Sequence, residues 1–276
     1  MSHRLTQDQI DFFEREGYLT PVRAIAPEQA AVLREKLESF ERETGLNAGQ
    51  DLQLKAHAYF QWAYQLAKSP AIVEVAQSLL GPDVFCFASR FWIKEPRDQK
   101  HVSWHQDMAY FGMDPQAMIT FWIALTPATR ANGAMRFIPG THRALRTHAE
   151  TYDPNNLLTR GQSVRDVDES QALTAELQAG EFSIHHGNLL HNSPVNDTDD
   201  RRIGLALMLF PTHVKSTLGR RSVSLLCGED RYGHWDHDPA PTRDRDPVIW
   251  ELMQQDFNAY TKTRIVQVAE AGNSQA

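Results

Sequence analysis

An α+β fold, helices first and a closed double-sheet β core after them, is the class this sequence predicts. Three observations carry the prediction. Hydrophobic spacing is helical through about residue 82 and turns to strand-like alternation from residue 84. The later segments are short, apolar or alternating, and bounded by Gly, Pro and Asn. Two well separated strand segments, around residues 103–107 and 181–193, carry clustered imidazole and carboxylate side chains, which a barrel or double-sheet jelly roll would bring together.

In order along the chain, Thr6-Gln7-Asp8-Gln9 has the form of a capping box, with Ile10 and Phe13 on one face and Gly17 as the stop. Pro27 stands at a first helical position before Leu33, Leu37 and Phe40, and Gly45 ends that helix. A third helix is expected over residues 58–66, and Pro70 starts a fourth that runs to Gly81. From Val84, Phe85, Phe87, Ser89, Phe91 and Ile93 alternate with Cys86, Ala88, Arg90, Trp92 and Lys94, the pattern of a long strand. Residues 119–125, 134–138, 181–185 and 203–210 read as further strands, and Pro139-Gly140-Thr141-His142 is a turn closing one of them. Residues 143–178 and 215–247 interrupt the pattern at lengths typical of lids and binding loops. With no repeat and no linker, residues 1–276 are expected as one domain: 1–82 mainly helical, 84–214 a β core with a lid insertion at 143–178, and 215–276 a loop and a C-terminal helix.

Hydrophobic content of 41% and charged content of 23% describe an ordinary soluble globular protein. A net charge of -7 argues against a nucleic-acid surface, and no apolar run approaches the roughly eighteen residues of a membrane span. The N-terminal residues are expected to lead into a polar helix and not to form a signal peptide. The two cysteines, Cys86 and Cys227, sit beside apolar residues and read as buried thiols, so a cytoplasmic location is expected. Oligomeric state is not encoded legibly.

The chemistry concentrates in Ser103-Trp104-His105-Gln106-Asp107, in Gly180–His191, and in Arg202. Alternation on a strand would turn His105 and Asp107 to one side. Two imidazoles and a carboxylate are the facial triad of non-heme Fe(II) oxygenases, which leaves three metal positions open. His-x-Asp alone arises by chance in many chains, and three histidines compete for the third ligand role. His185 and His186 lie at a strand end, where a hydrogen-bonded structural histidine is the ordinary state. His191, after Leu189-Leu190 and before Asn192-Ser193-Pro194, holds a modest lead on spacing. A guanidinium eleven residues later, Arg202, suits a bidentate grip on the carboxylate of an organic cosubstrate. His234-Trp235-Asp236-His237-Asp238 looks like a second metal cluster, but such residues in a Pro- and Asp-rich loop more often make turns and caps, and nothing nearby completes four ligands.

From about Leu5 to Pro241 the chain resembles the phytanoyl-CoA dioxygenase family of iron/2-oxoglutarate oxygenases. The landmarks are Phe12-Phe13 with Glu16-Gly17-Tyr18, Leu80-Gly81-Pro82, Lys94-Glu95-Pro96, Val102 to Asp107, Asn132-Gly133, Ile138 to His142, and His191-Asn192-Ser193 leading to Arg202. The resemblance implies a cupin-like double-stranded β-helix with Fe(II) held by His105, Asp107 and His191. It implies 2-oxoglutarate as cosubstrate, its far carboxylate on Arg202 and not Arg201, flanked by Trp122 and Ser193, with Lys55 and Arg90 as further contacts. Dioxygen is then the co-reactant, and succinate, carbon dioxide and a hydroxylated carbon are the products. Relatives that halogenate carry a small residue in place of the carboxylate ligand; position 107 is Asp. The family usually has Gly directly after the distal histidine, where this chain has Asn192.

The bacterial branch it looks most like includes hydroxylases of aminoalkylphosphonates and of other free or carrier-bound amino compounds. A phosphonate needs donors, for which His57, Arg160, His234 and Gln106 are the candidates. An ammonium group would favour aromatic faces such as Tyr59, Tyr110 or Trp235. Two other readings stand beside this one. The same donor set suits a non-oxygenase zinc or manganese enzyme of cupin type, from which Arg202 distinguishes it. The substrate could also be an acyl or amino acid bound to a carrier or to CoA. A silent binding protein on this scaffold has no reason to keep the triad and Arg202 together.

Overall fold

The computed structural model describes residues 2–262. Local signals place the first helices. Gln7–Glu16 opens on a reciprocal capping box, Thr6 Oγ1 accepting from the Gln9 backbone and Gln9 Oε1 from that of Thr6, and stops at Gly17, whose φ of 82° is left-handed. Pro27–Thr44 has proline in its first turn and ends at Gly45 in the same conformation. The expected third helix is divided: Ala56–Tyr59 and Gln61–Ala67 flank Phe60, which is extended, and Ala48–Asp51 adds a turn before them. Pro70–Leu80 follows as expected.

Eleven strands make two facing sheets. They are β1 (Tyr18–Arg23), β2 (Val84–Lys94), β3 (Val102–His105), β4 (Ile119–Ala124), β5 (Arg136–Phe137), β6 (Leu173–Thr174), β7 (Glu181–His186), β8 (His191–Ser193), β9 (Arg202–Pro211), β10 (Ser222–Cys227) and β11 (Asp236–His237). The large sheet runs β1-β7-β4-β9-β2-β10-β11 and the small one β3-β8-β5-β6. All neighbours are antiparallel except β10 and β11. This is the jelly roll the sequence predicts.

Side-chain parity in the large sheet divides its work. Outward residues such as Phe91, Phe121, Ile123, Ile184, Leu205 and Leu207 form one buried cluster with Leu37, Phe40, Phe60, Leu66 and Ile72 of the helices. Their neighbours Arg90, Trp92, Lys94, Thr120, Trp122, His185, Arg202 and Met208 point the other way, toward the small sheet. The helices therefore seal one face of the sheet and leave the other for chemistry.

Several expectations are corrected here. The mainly helical segment 1–82 also contributes a strand, because β1 pairs with β7 at the sheet edge. The segment 143–178 is not only loop: it contains the hairpin Ala149–Glu150 with Gln162–Ser163, and β6. Beyond residue 215, β10 joins the main sheet beside β2 before the helix Pro247–Lys262. Residues 263–276 lie outside the described residues. Cys86 is buried, but Cys227 is only half-buried. No helix among the described residues is long and apolar enough to cross a membrane.

Candidate active site

The two candidate ligand histidines face one another because of strand register. His191 at the start of β8 lies directly opposite His105 at the end of β3, with ring centroids 4.0 Å apart. Asp107 is not on the strand. It begins a 3₁₀ turn, Asp107–Tyr110, and that turn, not strand alternation, brings its carboxylate to the histidines. His105 Nε2 is 3.3 Å and His191 Nε2 3.7 Å from Asp107 Oδ1.

The donor set fits a divalent metal. Each imidazole donates its Nδ1–H to a carbonyl two residues back, His105 to Ser103 O and His191 to Leu189 O, both at 2.9 Å. That fixes the tautomer and leaves both Nε2 lone pairs facing Asp107. The ligand atoms of the three residues all lie within 4.8 Å of one another. Separations near 3.5 Å are close to the roughly 3 Å donor edges of a six-coordinate ion with bonds of about 2.1 Å. Burial alone would raise the Asp107 pKa, but His191, His105 and His185 outweigh it and hold it well below the usual carboxylate range. Burial, reinforced by His105 and His185, holds His191 well below the usual imidazole range. A charged carboxylate and a neutral imidazole are the forms that ligate.

Thr120, which the sequence reading missed, and His185, which it took for a structural histidine, hold the other carboxylate oxygen. Thr120 Oγ1 donates to Asp107 Oδ2 at 2.9 Å, and His185 Nε2 stands 3.4 Å from the same atom. Oδ1 is thereby left for a metal. Strand parity with Trp122 could have exposed Thr120, since the two are two residues apart on β4.

Behind the donor set the cavity ends at Arg202. This guanidinium is buried, lies 5.1 Å over the Trp122 ring, and donates to Gly133 O at 3.2 Å and to Ser193 Oγ at 3.3 Å. Its Nε is buried without a partner, and no carboxylate among the described residues pairs with it. Burial pushes its pKa down to about 9, so it is cationic at neutral pH. Arg201 instead sits in an ion-pair cluster with Glu38, Glu41 and Glu95. The Ser193 hydroxyl is saturated: it donates to Gly133 O at 2.6 Å and accepts from Lys94 Nζ and Arg202. Gly204, beside Arg202 on β9, leaves the space that the Trp122 indole fills. His105, Asp107, His191, Trp122, Ser193 and Arg202 all line this cavity.

Other candidates fall elsewhere. Lys55 is buried in ion pairs with Asp238 at 2.9 Å and Asp256 at 3.3 Å, away from the cavity. His57 is bonded on both nitrogens, to Ser89 Oγ and Ser224 Oγ, and burial pushes it down to about 3. Tyr59 packs among Phe40, Phe60 and Trp250 in the helical core. The Gln106 amide is spent on Ala144 O, Asn188 O and the Arg146 N–H. Arg160 pairs with Glu150 and with the carbonyls of Tyr260 and Thr261. His234 stacks on the exposed Tyr232, and Trp235 is core, its Nε1 donating to Val214 O. In the 234–238 stretch, His237 meets Asp230 at 2.9 Å. Arg90 and Tyr110 line a pocket adjoining the donor set.

The Phytanoyl-CoA dioxygenase (PhyH) model matches residues 13–204. A probable alpha-ketoglutarate-dependent hypophosphite dioxygenase of Stutzerimonas stutzeri is 29% identical over 156 residues, 53% of this chain and 52% of that protein. The chain thus spans about half the length of curated relatives such as this one. Among solved structures, the non-heme monooxygenase ThoJ in its apo form is 29% identical with a TM-score of 0.81, covering 92% of this chain and 96% of its own. CytC3 with Fe(II) and alpha-ketoglutarate is 25% identical with a TM-score of 0.64, covering 85% and 93%.

Proposed function

Because the chain belongs to the phytanoyl-CoA dioxygenase family, we propose that it is an iron(II)- and 2-oxoglutarate-dependent dioxygenase that hydroxylates an unactivated carbon of a small polar substrate. One observation carries the reading: the His105–Asp107–His191 donor set shares a cavity with a buried arginine that meets no carboxylate among the described residues. The three donors would hold the iron, and Arg202 the far carboxylate of 2-oxoglutarate. Bound together with dioxygen, these supply the oxidising power and leave succinate and carbon dioxide.

The chain's own part is positioning. Trp122 and the saturated Ser193 hydroxyl fix the guanidinium, so its fork is oriented before a diacid arrives. Thr120 and His185 restrain one oxygen of Asp107. Apolar walls from Val102, Met135, Ala206 and Met208 limit water beside the donors. A carboxylate at position 107 favours transfer of hydroxyl over halide. The finer reading is an amino- or trimethylammonio-alkylphosphonate as substrate, and a relative named for hypophosphite, another phosphorus oxyanion, supports it.

Adding 2-oxoglutarate to the Fe(II)-loaded protein without air should give the visible charge-transfer band of an iron–ketoacid chelate. Oxygen consumption and succinate release should then rise with one class in a panel of aminoalkylphosphonates, betaines, amino acids and acyl thioesters. A wild-type protein with no such band is not this enzyme.

A further inference from the structure

The donor set has a second side. Past His105 and Asp107, away from Arg202, lies a pocket lined by Arg90, Tyr110, Phe111 and Tyr260. It shares Trp92, His105, Asp107 and Met208 with the Arg202 cavity. It leads outward, past Gln53, Arg90, Leu158 and Phe257, to an open outer chamber of about 360 Å³ at the surface, through which a small ligand can enter. Arg90 lines the inner pocket and the outer chamber but not the cavity that ends at Arg202.

Arg90 is held in place yet underused. Its guanidinium lies 4.5 Å over the Trp92 ring and makes one hydrogen bond, to Gly49 O at 3.2 Å. Its Nε is buried with no partner, and no carboxylate among the described residues pairs with it. Burial pushes its pKa down to about 10, so the charge persists at neutral pH. The Tyr110 hydroxyl in the same pocket is also buried without a partner, and burial raises its pKa, so it is a neutral donor. Two acidic groups line these walls: Asp107 belongs to the donor set, and Asp153, at the outer end away from Tyr110, accepts the Asn155 N–H at 2.8 Å. A cationic fork and a phenol with donors to spare, among neutral polar and apolar neighbours such as Gln53, Gln162, Phe111 and Leu158, describe an oxyanion site.

We propose that the substrate carries a terminal oxyanion, a carboxylate or a phosphonate, which docks on Arg90 and Tyr110 and lays its carbon chain along the open side of the donor set. This rests on the function proposed above and deepens it. It also moves Arg90 from the cosubstrate, where resemblance had it, to the substrate.

The test is calorimetric titration of the Fe(II)- and 2-oxoglutarate-loaded protein without air, using 2-aminoethylphosphonate, 3-aminopropanoate, and 2-aminoethanol, which lacks the oxyanion. One of the two anions should bind wild type in the millimolar range or tighter, and 2-aminoethanol at least about tenfold more weakly. Which anion wins identifies the oxyanion. Arg90→Gln should lose about thirtyfold in anion affinity while binding 2-oxoglutarate as wild type does. Tyr110→Phe, which removes only a hydroxyl, should lose about fivefold and decides the matter if Arg90→Gln does not fold. Equal binding of anions and 2-aminoethanol, no saturable binding of either anion, or a loss of 2-oxoglutarate affinity in Arg90→Gln would overturn the proposal. Failure of wild type to bind 2-oxoglutarate would instead sink the parent reading, and the same titrations without cosubstrate still report on Arg90.

Discussion

Arg202 carries its charge among Trp122, Ser193 and Gly133 with only neutral acceptors in reach. Burying an ion without a counter-ion costs several kcal/mol, so the apo fold is stressed at this point and a carboxylate ligand relieves it. Arg202→Leu should therefore raise the 2-oxoglutarate dissociation constant by about a hundredfold. The same change should leave the melting temperature of the ligand-free protein equal or higher, because a lone buried charge is gone. A variant that melts much lower while keeping its cosubstrate affinity would show that the guanidinium serves the fold. Thr120 acts at a different distance from the chemistry. It orients Asp107 through one hydrogen bond, and Thr120→Val keeps the shape while removing the donor. Fe(II) affinity, read by competition with a chelator, should fall about tenfold, the scale seen when an outer partner of a metal ligand is lost. Unchanged affinity would leave His185 as the residue that restrains the carboxylate.

Strand parity gives the elements their meaning, and Gly204 shows how tightly. On β9 it faces inward between Arg202 and Ala206, and a methyl group there would overlap the Trp122 indole. Gly204→Ala should cost about 1–3 kcal/mol by urea unfolding, the range for overpacking a core, and should weaken 2-oxoglutarate binding because Trp122 must shift off Arg202. An alanine variant with wild-type stability and affinity would mean that the indole has room to move. The parity itself was legible in the sequence: the alternation from Val84 to Lys94 and the apolar run 119–125 mark strands, and Thr6, Gly17, Pro27 and Gly45 mark helix ends. What could not be read is pairing between distant segments. β1 looks like a loop between helices until β7 covers it, and the opposition of His105 and His191 exists only in the register of β3 against β8. The resemblance supplied the donor set, but not the 3₁₀ turn that aims Asp107. Nor could spacing show that Asp238, 183 residues away in a loop, takes up Lys55.

At the scale of the whole molecule, the inward face of the large sheet and the segments around it trap imidazoles in their neutral form, and this sets an acid limit on stability. Burial, helped by Lys55, pushes His57 down to about 3. Burial, helped by His105, pushes His148 down to about 4, and burial, helped by His142 and His185, does the same to His186. The last two are also blocked by bonding: His148 Nε2 accepts the Gln106 N–H and His186 Nδ1 the Asn188 N–H, each of which protonation would break. The folded-state values lie below the ordinary 6.5, so between roughly pH 6.5 and 4 the unfolded chain takes up protons that the native chain refuses. Stability contributed by these groups is complete above about pH 6.5 and is lost as pH falls, by up to about 1.4 kcal/mol per pH unit for each imidazole. The metal-free protein should then show a urea midpoint that drops steeply from pH 7 to pH 5, with a slope of at least about two protons; His191, held neutral in the same way, steepens it further. Saturating Fe(II) should stabilise the fold more at pH 7 than at pH 5, since protons compete for the ligand nitrogens. A midpoint that holds level over this range would show that the imidazoles charge freely inside the native fold. The neutral form of His191 on which metal binding depends would then not be enforced by burial.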